Sequence, residues 1–188
     1  MTYALVVVGA SLGGMRALQT VLEGLPAAFA APVVVVQHCG PGHDGVRRAQ
    51  LREFSALPVT TAEDKMDLLP GRVYVAPADY HLLVEAGSLA LSTDAPVGHS
   101  RPSIDVLFES AAVAYGAGVV GVILTGANAD GTRGAAAIKA RGGLVLAQEP
   151  ATAEGVVMPA AAIRAGTVNT VLPLSAIADY LAGLAYGR

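Results

Sequence analysis

The 188-residue chain is 53% hydrophobic and 14% charged, with 22 Gly and 11 Pro. That excludes intrinsic disorder, collagen-like repeats and low complexity, and a chain this long buries about 70% of its unfolded surface without a staple. Lys and Arg number 12 against 15 Asp and Glu, for a net charge of −3, and Trp is absent; no basic field or base-stacking surface supports a nucleic-acid partner.

Tyr3–Val8 is an apolar run that flows into a glycine turn with no basic leader, so it reads as a first strand rather than a signal peptide. Gly13–Glu23 has helical spacing, Val33–Gln37 is a β-branched strand, and Asp44–Ala56 is a helix carrying Arg47, Arg48 and Arg52. That cluster fits either a solvated face or a docking patch for an acidic partner. Arg72–Val75 reads as a strand. Tyr80–Glu85 and Ser88–Ser92, joined by Ala86-Gly87, read as a hairpin. Asp94–Ser100 is the expected flexible segment. Ser103–Tyr115 follows as a helix with Asp105 in its first turn, then Val119–Leu124 as a strand and Gly131–Ala140 as a helix. Strands Leu144–Ala147 and Val168–Leu172 and a helix over Leu174–Ala185 complete the chain.

Most strands are apolar on both faces, as in sheets covered by helices on each side. The alternation predicts an α/β fold: a doubly wound, mostly parallel, Rossmann-like sheet with a small antiparallel hairpin, in a single domain over residues 1–188. Two uncharged stretches, Gly24–His43 and Ser110–Ala129, have membrane-span length, but Pro or repeated Gly breaks both, so no membrane insertion is expected. Cys39 is the only cysteine. It excludes an intrachain disulfide and a Cys-based zinc site, fits a reducing cytoplasm as the location, and reads as a small buried residue.

Three segments carry candidate chemistry. Gly9-Ala10-Ser11-Leu12-Gly13-Gly14 lies between a strand and a helix. It fits a nucleophile elbow, a cofactor turn, or a plain turn with Ser11 as N-cap. A dinucleotide fingerprint needs glycine where Ser11 stands, and Met15 breaks the short-chain dehydrogenase variant. His38 closes the second strand; carboxyl ends of neighbouring strands share one edge, where ligands of doubly wound sheets bind, so His38 and Ser11 belong together. Leu124–Gly131 brings Asp130 to the same edge. Asp130 is expected to cap the helix that follows it, a role Asn would fill as well, or to orient His38, or both. Asp105 is the rival carboxylate; Asp64 and Asp67 lie away from that edge. His43 stands five residues after His38, but no third ligand is evident, so metal binding is not expected; His81 and His99 carry no pattern.

With these segments in hand, the sequence resembles the catalytic domain of the CheB family, the chemotaxis protein-glutamate methylesterases. VVVGASLGG, VVVVQH, PGRVYVAPADYHLLV, RPSIDVLFESAA, GVVGVILTGANADG, LAQEP and MPAAAI stand in the family's order across roughly Tyr3 to Leu174. The resemblance implies a Ser11–His38–Asp130 triad, with the backbone amides of Leu12 and Ala127 as the oxyanion site, and no cofactor or metal. It implies hydrolysis of glutamate methyl esters, with possible deamidation of glutamine, on the cytoplasmic helices of chemoreceptors. Alternatives are a related serine hydrolase acting on another protein ester or amide, or a non-catalytic docking module. Family members usually carry an N-terminal receiver domain; here Tyr3 already begins the catalytic domain, so a stand-alone form is expected. Ala127, Asn128, Val157 and Ala160 depart from the family's common residues.

Overall fold

The computed structural model describes residues 3–38 and 44–185, with the side chains of 44–48 and 185 left aside. Seven parallel strands form one sheet in the order β3-β4-β2-β1-β7-β8-β9. These are β1 Leu5–Ala10, β2 Val33–Gln37, β3 Val59–Thr61, β4 Val73–Val75, β7 Val119–Ile123, β8 Leu144–Gln148 and β9 Thr170–Leu172. The antiparallel hairpin is β5 His81–Glu85 with β6 Ser88–Ser92, paired Leu83 to Ala90 as its turn dictates. Helices are α1 Gly14–Gly24, α2 Asp44–Phe54, α3 Ile104–Tyr115, α4 Thr132–Ala140, α5 Val157–Arg164 and α6 Ile177–Ala185.

Successive strand side chains point to opposite faces, and the core divides accordingly. Val6, Val8, Ala10, Val33 and Val35 pack with Leu18, Leu22, Leu51, Ile177 and Leu181 of α1, α2 and α6. Leu5, Val7, Val34 and Val36 pack on the other face with Ile104, Leu107, Phe108, Ile138 and Met158 of α3, α4 and α5, and with the hairpin's Leu82, Val84 and Leu89. All of these are buried, which is why the strands show no polar alternation. The expected doubly wound fold with its hairpin is therefore observed.

Two elements escaped the sequence. β3 has only three residues and pairs solely with β4. α5 contains Pro159, which normally ends a helix; here it sits in the first turn, where an N–H has no intrahelical partner. The C-terminal helix begins later than expected, because Leu174–Ala176 form a separate 3-10 turn. Asp94–Ser100, expected to be flexible, is exposed over most of its length and carries several hydrogen bonds. Val97 and Ser100 exchange backbone hydrogen bonds of 3.1 and 2.9 Å. Arg101 donates to the Thr93 and Asp94 carbonyls and to the Asp79 carboxylate.

The chain moves from β1 outward through β2 and β4, then returns to place β7 on the other side of β1. This reversal opens a crevice at the carboxyl ends of β2, β1 and β7. The register pairs Gly9 with both Val36 and Ile123, so the three strands end at one level.

Candidate active site

Ser11 leaves β1 between its two neighbours. Its N–H donates to the Thr125 carbonyl (2.9 Å) beyond β7, and the next residue of β2's exit, His38, donates its N–H to the Ala10 carbonyl (2.9 Å). Gly13 turns the chain into α1 at φ +74°, a left-handed conformation open to glycine at little cost. Gln37 ends β2 and reaches back: its Nε2 donates to the carbonyls of Ser11 (2.8 Å) and His38 (2.9 Å). Its Oε1 lies buried without a partner, against Gly14 at a separation that leaves no room for a Cβ. One amide thus locks the serine turn to the histidine strand end.

His38 and Asp130 meet. Nε2 lies 2.8 Å from Oδ2, and the two side chains are 11% and 5% exposed. Asp130 does not cap the helix that follows it. The N-cap of α4 is Gly131, with no side-chain bond to that helix. Instead Asp130 caps α3: Oδ2 accepts from the Ile104 N–H (2.7 Å), and Oδ1 accepts from the Asp105 N–H (2.9 Å) and the Ser103 hydroxyl (3.0 Å). Oδ1 also accepts from the adjoining Gly131 N–H at 3.0 Å. The expectation of a local cap fails because a left-handed Gly131 turns α4 away, while the start of α3 packs directly over the carboxylate. Burial pushes the Asp130 carboxyl up, but the bonds from His38 and from the Asp105 and Ile104 amides outweigh it and hold it below its ordinary value.

An ionised carboxylate only accepts, so Nε2 carries the proton when His38 is neutral, and Nδ1 is left as the acceptor. Among the described residues the Ser11 hydroxyl has no hydrogen-bond partner. Serine and histidine sit on adjacent strand ends, and such bonds often tighten only with substrate bound.

Two peptide groups beside the strand ends are each held at the carbonyl. The Ser11 carbonyl is held inward by Gln37 Nε2 and by the Gly14 N–H. In a trans peptide the N–H points opposite to the carbonyl, so the Leu12 N–H turns outward. The Gly126 carbonyl accepts from the Met158 N–H (3.0 Å), which turns the Ala127 N–H outward in the same way. Neither N–H has a partner among the described residues. Thr125 joins the two loops: its hydroxyl donates to the Leu12 carbonyl (2.8 Å) and accepts from the Gly155 N–H (2.7 Å). Gln148 at the end of β8 accepts from the Thr125 N–H at 2.9 Å. Leu12 is 51% exposed at this rim.

Asp105, the rival carboxylate, faces elsewhere. Its Oδ1 accepts from the Gly134 N–H (2.8 Å), fixing α3 against α4. Burial raises its pKa, the Gly134 amide partly offsets this, and nearby Asp130 adds to the rise. His81 is a buried structural residue: Nδ1 accepts from the Ser103 N–H (3.2 Å) and Nε2 donates to the Ala95 carbonyl (3.1 Å). Asp64 accepts from the Leu91 N–H of the hairpin. His99 joins His38, Ser100, Arg101 and Pro102 around a cleft of about 140 Å³. A second cleft of about 260 Å³ approaches Asp130 from the Asn128 side. Cys39, His43 and the side chains of Arg47 and Arg48 lie outside the described residues; Arg52 is exposed on α2. No cluster of metal-binding side chains occurs among the described residues, and no helix among them is long and apolar enough to cross a membrane.

Gln37, Thr125, Gln148 and Ser103 were not foreseen as site residues. For Gln37 and Gln148 the signal was a polar residue closing an otherwise apolar strand, as in VVVVQ and LVLAQ; for Ser103 it was only its place as the N-cap of α3.

A family model described as CheB methylesterase matches residues 6–181. A relative from Leptospira interrogans is 46% identical over 180 residues, covering 95% of this chain and 93% of its own. A relative from Anaeromyxobacter dehalogenans, named protein-glutamate methylesterase/protein-glutamine glutaminase 3, is 50% identical over 179 residues; the match covers 94% of this chain and 52% of that one. The crystal structure of the Thermotoga maritima CheB methylesterase catalytic domain superimposes with a TM-score of 0.93 at 37% identity, covering 98% of this chain and 100% of that one.

Proposed function

The chain belongs to the CheB methylesterase family and is a hydrolase of the protein-glutamate methylesterase/glutaminase type, and from that premise we propose a Ser11–His38–Asp130 triad acting on the glutamate methyl esters of chemoreceptor helices. The observation that carries this reading is the 2.8 Å bond between His38 Nε2 and Asp130 Oδ2, at the strand end beside Ser11.

His38 Nδ1 takes the Ser11 proton as Oγ attacks the ester carbonyl. The imidazolium that forms is stabilised by the ionised Asp130, which also fixes the ring tautomer. The Leu12 and Ala127 amides hold the oxyanion; each is anchored through its own carbonyl-side partner, so neither has to reorganise during the reaction. His38 returns the proton to the departing methanol. A water deprotonated by His38 then cleaves the acyl-enzyme, leaving a glutamate carboxylate. With a glutamine side chain the same steps release ammonia. No step needs a cofactor or metal. Residues 1–188 act as one catalytic domain in this scheme, located in the cytoplasm, and exposed Arg52 suits an acidic receptor helix.

The deciding experiment measures methanol release from methylated receptor membranes. The purified chain is expected to release it, and Ser11→Ala is expected to lower turnover by at least ~10³-fold without unfolding. Near-normal release by Ser11→Ala would remove Ser11 from its role. Failure of the unaltered chain on receptors, with Ser11-dependent hydrolysis of other peptide esters, would shift the substrate to another protein.

A further inference from the structure

We propose that Glu154 is a specificity residue whose carboxylate, set against the serine turn, disfavours the ionised glutamate product relative to the neutral ester or amide. This rests on the ester-hydrolase reading above. The Glu154 side chain lies on the turn itself: a Cβ placed at Gly13 would stand 2.7 Å from Glu154 Cβ and 2.7 Å from its Oε2. Gly13 directly follows Leu12, and consecutive Cα atoms are about 3.8 Å apart, so the charge sits close to an oxyanion amide. The backbone behind Glu154 is fixed, because the Gly155 N–H donates to Thr125 Oγ1 (2.7 Å) and its carbonyl accepts from the Gly126 N–H (2.8 Å). Glu154 and Arg16 are the two charged side chains lining a polar cleft of about 390 Å³ beside the turn. Among the described residues no ion pair joins them, so the Glu154 charge is not neutralised.

A charge near a site, but outside the reacting groups, discriminates by the net charge of what is bound. The ester and the amide are neutral. During attack the Ser11 proton passes to His38 as the oxyanion forms, so a negative and a positive charge appear together and the net charge is unchanged. Water then cleaves the acyl-enzyme, and the proton of the new γ-carboxyl leaves through His38 to solvent. The product complex therefore carries one more negative charge than the ester complex. The outward amides and the N-terminus of α1 attract any carboxylate, so the product would linger without an opposing charge. Glu154 supplies that opposition and acts far less on the transition state.

The test uses two peptides identical except that one carries a γ-methyl ester and the other the free γ-carboxylate. Both are titrated calorimetrically at low salt into the chain bearing Ser11→Ala, which cannot turn the ester over. Adding Glu154→Gln is expected to tighten the carboxylate peptide about threefold and leave the ester peptide unchanged, as for loss of one exposed charge near the bound carboxylate. High salt should erase the difference, Glu154→Asp should preserve the original ratio, and Arg16→Gln should shift the ratio the opposite way. Glu154 is exposed, so thermal unfolding should not move. An unchanged acid-to-ester ratio in Glu154→Gln, or equal tightening of both peptides, overturns the role of Glu154 while leaving the ester reading intact. Failure of both peptides to bind overturns both.

Discussion

Replacing Asp130 by Asn puts an NH2 group where one of two acceptor oxygens now takes hydrogen bonds from His38, Ile104, Ser103, Asp105 and Gly131. The amide has two ways to sit. With its nitrogen at the Oδ1 position, the Asp105 and Gly131 N–H groups both face a donor. With its nitrogen at the Oδ2 position, only the Ile104 N–H does, because His38 Nε2 can turn acceptor by moving its proton to Nδ1. The second arrangement costs less, and it places a proton on the atom that accepts from Ser11 in the proposed mechanism. One part-buried donor left unpaired costs about 1–3 kcal/mol. At ~2–4 °C per kcal/mol for a domain of this size, the Tm should fall by roughly 2–12 °C. Loss of the correct tautomer and of the charge beside the imidazolium should lower kcat by about 10²–10⁴-fold. Thermal unfolding and ester hydrolysis on one preparation, with ¹⁵N NMR of the His38 ring, measure all three effects. An Asn variant that melts with the unaltered chain and keeps its kcat would refute both the capping and the orienting roles.

Asp105→Asn should behave oppositely. A carboxyl whose folded pKa is raised stabilises fully below its unfolded value, near 3.8, and that contribution is lost as pH rises through the folded value. The Asn variant should thus gain stability relative to the unaltered chain as pH rises through that window, with turnover kept; denaturant titrations at several pH values check it. Asp130 has a lowered pKa, so its contribution is present above 3.8 and lost as pH falls through its folded value, which places its share of acid unfolding below the ordinary carboxylate range. Gly14→Ala should expel the Gln37 side chain, freeing the Ser11 and His38 carbonyls, and lower kcat more than ~10-fold with a measurable fall in Tm; a fully active Ala variant would show that Gln37 does not hold the turn.

Much of this molecule was legible in its sequence. Strands such as VVVV in β2 must be buried on both faces, since no polar residue alternates, and that alone dictates a parallel sheet with helices on each side. Glycine punctuation and strand ends then bring Ser11, His38 and Asp130 to one edge, because parallel strands share an edge by construction. Local pattern could not reveal a three-residue strand such as β3, or a helix such as α5 with proline in its first turn. Nor could it say which helix Asp130 caps: that depends on α3, 26 residues earlier in the chain, crossing over the carboxylate. The lock of Gln37 on the Ser11 carbonyl spans 26 residues in the same way, and the approach of Glu154 to Gly13 spans the width of three strands. Sequence periodicity decides which face a residue takes and at which edge its strand ends. Only packing decides which distant donor meets which acceptor there, because hydrogen bonds are made at about 3 Å and no spacing along the chain fixes a distance that short between separate elements.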